Sequence, residues 1–306
     1  MTTQAPSPTG EQWHLSVGRD ELAVVEVGGG LRSWTRDGVD VLAGYDADAP
    51  CTSGRGQQLI PWPNRIRDGR YSLDGVDHQL PLTEVEYGNA SHGLVRWAPW
   101  RLVARTDSSL TVAHRLFPQP GWDWHLASTT TYAVSPVGLT VTVHVANVGK
   151  GNAPFGFGAH PYVAIGDMPV EDVEVSIPGA KRVEVDDRML PRATSPVDGT
   201  PYDYRAPKAI GKRRLDTAYT DLEVVDGRWT VTVTTPDRGT VDVWGDADAL
   251  PWVQVFSGKA EADQPGVHGI AVEPMTCPPD AFNSRNSLLR LGPGEAWTGT
   301  WGISPR

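Results

Sequence analysis

In the stretch LTVTVHVANV, Leu139, Val141, Val143 and Val145 alternate with Thr140, Thr142, His144 and Ala146. A period of two sends successive side chains to opposite faces of an extended chain, so this segment buries its apolar residues together only as a β-strand. STTTYAV runs into it through the turn SPVG, which predicts a hairpin. YSLDGVDHQL predicts a second hairpin about Asp74-Gly75. EVVDGRWTVTVTTPDRGTVDVWG reads as strand, Asp226-Gly227 turn, strand, Pro-Asp-Arg-Gly turn, strand. No long segment joins a 3.6-residue apolar period to a capping signal, whereas 33 Gly and 26 Pro in 306 residues supply the turns that many short strands need. The expected architecture is all-β and mostly antiparallel, a pair of stacked sheets forming a single domain over residues 13–306 behind a flexible N-terminal tail at 1–12.

A net charge of −10 and a pI near 5.2 argue against a nucleic-acid backbone or an anionic membrane as partner. No apolar run approaches the roughly 20 residues of a membrane-spanning helix. The start, MTTQAPSPTGEQ, lacks the basic and apolar segments of a secretory signal, and the cysteines number two, Cys51 and Cys277. Together these features point to a cytoplasmic protein whose thiols stay reduced.

Five patches read less as strand than as site. In LIPWPNRIRDGRY, Asn64 and Arg65 follow a stiff Pro-Trp-Pro that can fix where the guanidinium points. In YGNASHGLVRW, His92 sits among small residues at a loop mouth. In FGFGAHPYVAIGD, glycines precede His160 and a proline follows it. Asp216 lies in RRLDTAYTDL, and Glu273 follows the apolar Ile-Ala-Val in IAVEPMTCPPDAFN. A carboxylate ending a buried strand loses solvation and tends toward a raised pKa, as an acid or base working near neutrality requires. Trp62, Trp97 and Trp252 neighbour these patches and offer indole faces suited to sugar C–H groups, although most of the 12 tryptophans serve the core.

The motifs NRI (64–66), SHG (91–93), GAHPY (158–162), LDTAYTDL (215–222), WVQVFSG (252–258) and VEPMT (272–276), in this order, resemble the aldose 1-epimerase (galactose mutarotase) family from about residue 15 to 303. The resemblance implies a galactose-mutarotase-like β-supersandwich with an active-site cleft on one sheet. It implies interconversion of the α and β anomers of a free glucose- or galactose-type aldose, by a monomer or homodimer, with no metal or organic cofactor. It makes Glu273 the general base and His160 the general acid, with His92, Arg65, Asp216, Asn64 and Gln254 binding the sugar. On that reading His160 is protonated while Glu273 is ionised, Pro161 limits the swing of the imidazole, and Gly156 and Gly158 let the sugar approach the backbone. Pro-Trp-Pro at 61–63 and the form EPMTCPPDAFN depart from dedicated galactose enzymes and leave the sugar open.

Three other readings compete. A hexose-6-phosphate 1-epimerase would gather cations such as Arg67, Arg96, Lys212, Arg213 and Arg214 near the sugar's C6. A non-catalytic carbohydrate-binding or sensing domain would lack the acid or the base. A metalloenzyme would use His92, His160 and Glu273 as ligands, without the close His-x-His pair such sites often contain. Cys277, in a proline-rich loop with no adjacent base, reads as a plain buried thiol.

Overall fold

The strand Gly138–Asn147 pairs antiparallel with Leu126–Ser135 in the expected hairpin, from Leu126↔Asn147 to Ser135↔Gly138. Val141, Val143 and Val145 are fully buried while His144 faces solvent, so the sequence alternation becomes the inside and outside of a sheet. The computed structural model describes residues 7–258 and 268–306. This hairpin lies within a nine-stranded sheet ordered Arg101–Arg105, Ser109–Leu116, Leu126–Ser135, Gly138–Asn147, Ala296–Pro305, Gly239–Asp246, Arg228–Thr235, Glu174–Ser176 and Lys208–Ala209. An eight-stranded sheet runs Pro191–Pro196, Gly179–Val185, Asp216–Leu222, Trp252–Phe256, Gly269–Met275, Gly158–Ala159 and Gln58–Leu59, with Tyr162–Ala164 also paired to Gly269–Met275. A four-stranded N-terminal meander covers Gln12–Asp40. The all-β, antiparallel supersandwich expected from the sequence is what forms.

One apolar cluster joins Val141, Val143 and Val243 of the first sheet to Val253, Val255, Ile270 and Val272 of the second, so the two sheets share a core. The Tyr132 hydroxyl ties the layers together, donating to Gly29 O at 2.6 Å and accepting from Gln58 Nε2 at 2.5 Å. The middle of the second sheet is buried on both faces; every residue of Gly269–Met275 is inside. One face of that strand meets the shared core, and the other closes the floor of a cleft.

The turn at Asp74-Gly75 forms as expected, with Arg70–Leu73 paired to Val76–Gln79 and positive φ at both turn residues. The Asp226-Gly227 turn also has both residues at positive φ, but only a single Val225↔Arg228 bridge precedes Arg228–Thr235. The strand expected over 223–225 does not form; the preceding strand, Asp216–Leu222, ends before it and belongs to the second sheet, where it pairs with Gly179–Val185 and Trp252–Phe256. Val224 and Val225 are exposed, so burial gives this stretch no reason to extend the hairpin. Of the residues read as a tail, 1–6 lie outside the described residues. Thr9 is buried, the Glu11 amide donates to Glu26 Oε2 at 2.9 Å, and Gln12 begins the meander.

Asp20 is 3% exposed and accepts from Trp34 Nε1 (2.8 Å), Arg36 Nε (2.8 Å) and Arg36 Nη2 (3.0 Å). Removing one partner of such a buried pair leaves an uncompensated charge. Asp20→Ala is therefore expected to cost about 3–5 kcal/mol in urea unfolding; a loss below about 1 kcal/mol, the range of exposed pairs, would contradict it.

Candidate active site

Three adjacent strands build the cleft floor. Their register sets Ala218 opposite Gln254 and Gln254 opposite Glu273. Residues two apart share a face, so Asp216, Gln254 and Glu273 project from one side of the sheet while Val253, Val255 and Val272 enter the core. At the rim, Arg65–Arg67 pairs with Asn89–Ser91 and brings Asn64 beside His92. Both residues hold left-handed backbone, φ 54° and 62°. The His92 amide donates to Asn64 O at 2.8 Å, and the Asn64 amide donates to His92 Nδ1 at 3.2 Å. A backbone N–H can only donate, so Nδ1 carries a lone pair and the neutral ring of His92 presents Nε2–H as a donor. Burial, with His160, Arg96 and Arg65 close by, holds the His92 pKa well below its ordinary value, in agreement with that tautomer.

The cleft encloses about 250 Å³ and is lined by Asn64, Arg65, His92, His160, Asp216 and Glu273 together with Ser53, Arg96, Tyr162, Glu84 and Phe256. The structure thus gathers six of the seven residues singled out in the sequence along one wall. Gln254 stands behind them, its Nε2 donating to Asp216 Oδ1. Arg65 is committed: Nε and Nη2 donate to Glu84 at 2.8 and 2.9 Å, Nη1 reaches Asn64 Oδ1 at 3.3 Å, and Nη2 lies 3.7 Å from Asp216 Oδ2. It orients Asp216 and leaves few donors for a ligand. Glu84 carried no motif signal in the sequence; its part follows from the rim ribbon that folds it onto Arg65. Tyr162 lay within GAHPY but its role is spatial: its ring stacks on His160 at 5.1 Å and 13°. His92 meets the same imidazole edge-on at 5.3 Å.

His160 Nε2 lies 3.4 Å from Glu273 Oε1, and the residues are 6% and 2% exposed. His160 Nδ1 and Glu273 Oε2 are buried with no partner among the described residues. The sequence reading assigned an imidazolium and a carboxylate, but desolvation outweighs the attraction between them. Burial drives the Glu273 carboxyl well above its ordinary range; Asp216 pushes the same way and Arg65 opposes. Burial, reinforced by Arg96, drives His160 down to about 3. Burial thus biases the pair toward its neutral form, with the shared proton on Glu273 rather than on His160.

Two other sequence expectations are corrected by packing. A Cβ on Gly156 would meet Cys277 Sγ at 2.6 Å, and one on Gly158 would meet Pro63 Cβ at 2.7 Å, so these glycines admit protein neighbours rather than a sugar. Gly54 is the glycine beside the imidazole: its Cβ would stand 3.3 Å from His160 Cδ2. Trp62 and Trp252 are core residues at 2% and 3% exposure, whereas Trp97 is 58% exposed. Cys277 is fully buried and its thiol is pushed up to about 12 by desolvation. Among the described residues no group of three His, Cys, Asp or Glu side chains is arranged to hold a metal ion, and no helix is long and apolar enough to cross a membrane.

Two stability measurements check this geometry. Gly156→Ala is expected to cost about 1–3 kcal/mol by overpacking, and Cys277→Ala in the same chain to recover part of it; additive losses would refute the contact. For Glu273 the folded pKa is raised, so the stability it contributes is complete below its unfolded value and is lost as pH rises. Glu273→Gln should accordingly raise the melting temperature relative to the parent at pH 8 more than at pH 4; an equal shift at both would contradict the raised pKa.

A model of the aldose 1-epimerase family matches residues 12–304. The YihR protein of Escherichia coli K12, which is uncharacterised, is 33% identical over 288 residues, spanning 94% of this chain and 91% of that one. Galactose mutarotase of Rattus norvegicus is 28% identical over 161 residues, 49% of this chain and 44% of its own. The crystal structure of a GalM/aldose epimerase homologue from C. elegans superposes with a TM-score of 0.83 at 17% identity, covering 96% of this chain and 99% of that one, and so shares its fold.

Proposed function

The chain belongs to the aldose 1-epimerase family, and from that premise we propose that it interconverts the α and β anomers of a free aldose by acid–base ring opening and closure. The observation that carries the proposal is the buried His160–Glu273 pair, 3.4 Å apart at the base of a polar cleft. Mutarotation takes a proton from the C1 hydroxyl and delivers one to the ring oxygen. Both oxygens are bonded to C1, so two groups this close can serve them together. The ring opens, the aldehyde turns about C1–C2, and the same pair closes it on the other face.

Glu273 is the base and His160 the acid, which requires the ion-pair form of the couple. The empty cleft disfavours that form, yet both tautomers hold one proton and the same net charge. A bound sugar stabilises the ion-pair form that burial disfavours: the C1 hydroxyl donates to the carboxylate and the ring oxygen accepts from the imidazolium. Stabilising the reactive charges only when substrate is present is how binding is converted into rate. Asp216, held by Arg65 and Gln254, accepts from sugar hydroxyls, and His92 Nε2–H donates to them. The reaction takes place in the cytoplasm, where Cys51 and Cys277 remain thiols.

The 6-phosphate reading finds little support. Of its five proposed cations Arg96 alone lines the cleft; Arg67 lies 3.5 Å from Asp280 and Arg213 packs over Tyr202. A non-catalytic sensing module has no use for both halves of an adjacent acid–base pair.

Polarimetry of freshly dissolved α-aldoses tests the proposal. Glu273→Gln should lower kcat by about 100- to 10,000-fold with sugar affinity changed only a few-fold; an unchanged rate would remove Glu273 as base. His160→Asn should lower kcat more than it raises KM, and an effect on KM alone would make His160 a binding residue.

A further inference from the structure

The cleft contains one guanidinium that this mechanism leaves unused. Arg96 lines the same cavity as His160 and Glu273. Its backbone is fixed, the Arg96 carbonyl accepting from Gln57 Nε2 at 2.7 Å. Its guanidinium packs over the Trp97 ring, 5.1 Å from the centroid. Nε is buried without a partner, and the side chain makes no hydrogen bond or ion pair to any described residue. Arg65, in the same cleft, is gripped by Glu84, and Arg36 by Asp20. Burial lowers the Arg96 pKa, with Cys51 and Glu84 opposing it. A charged fork kept partly dry and unpaired at a binding site is matched by an anion from outside.

Its placement relative to the sugar follows from the catalytic reading, on which this inference rests. Arg96 lines the cleft together with His160 and His92, whose rings lie 5.3 Å apart. If His160 serves the ring oxygen, the neighbouring carbon C5 carries C6 toward that side. We propose that Arg96 receives a singly charged anionic group on C6, so that the preferred substrates are aldoses of the hexuronate type rather than neutral hexoses. One guanidinium matches one charge. Glu84 lies within electrostatic reach of Arg96, and among the described residues no second free arginine lines the cleft to offset the extra charge of a phosphate dianion.

Anomer exchange at equilibrium, measured by NMR at constant ionic strength, tests this with glucuronate, galacturonate, glucose, galactose and glucose 6-phosphate. The parent enzyme should show kcat/KM at least about tenfold higher for a uronate than for its neutral counterpart, with the 6-phosphate below the uronates. Arg96→Gln, verified as folded by its melting curve, should reduce the uronate-to-neutral ratio by about tenfold to a hundredfold, mainly through KM, and Arg96→Lys should restore part of it. Equal service of neutral and anionic sugars, with a ratio that Arg96→Gln does not move, would overturn the proposal and leave the mutarotase reading intact. A 6-phosphate turned over best would overturn the single-charge class. Absence of exchange with every sugar would overturn both readings together.

Discussion

A carboxyl and an imidazole lie 3.4 Å apart with water almost excluded from both. In water such a pair would readily become carboxylate and imidazolium; here burial opposes both charges and favours the neutral form of the pair. The surrounding groups reinforce this bias. Asp216 disfavours a charge on Glu273, Arg96 disfavours one on His160, and the His92 tautomer is fixed by a backbone amide. A site that withholds ionisation until it is filled does not dissipate its electrostatic leverage on solvent.

The fold makes that dryness possible. A strand whose residues are all buried has one face in the core and needs a second cover. The rim ribbon carrying Arg65, the His160 segment and the 53–57 loop provide it. Val183, Ala218, Trp252 and Met275 form a small apolar patch on the same face as Glu273, so the acid sits beside hydrocarbon as well as beside Asp216. The same burial that gives Glu273 its chemistry burdens the folded state, a local conflict of the kind expected at functional sites.

Much of this was legible in the sequence, because alternation is local. The Gly138–Asn147 strand and the Asp74-Gly75 hairpin follow from patterns a few residues long. The fate of the strand before Asp226-Gly227 was not legible, since a turn fixes only its own geometry while Asp216–Leu222 pairs with partners distant in sequence. The site residues were found as residue types in motifs, yet their charge states were not, because desolvation depends on depth and on which neighbours converge. Gly156 and Gly158 were misread for the same reason: their close neighbours, Cys277 and Pro63, come from remote segments. Arg96 drew notice only as one of several cations; what distinguishes it is a buried Nε with no hydrogen-bond partner among the described residues, a property of three dimensions.

The central claim is that the empty cleft stores its proton on Glu273 and leaves His160 neutral until sugar binds. Imidazole 15N NMR of uniformly labelled protein, with the His160 signal assigned by comparison with His160→Asn, reads this directly. Near pH 7 the free protein should show His160 as a single neutral tautomer, with imidazolium character growing as aldose is added. A doubly protonated ring in the free protein at that pH would contradict the account.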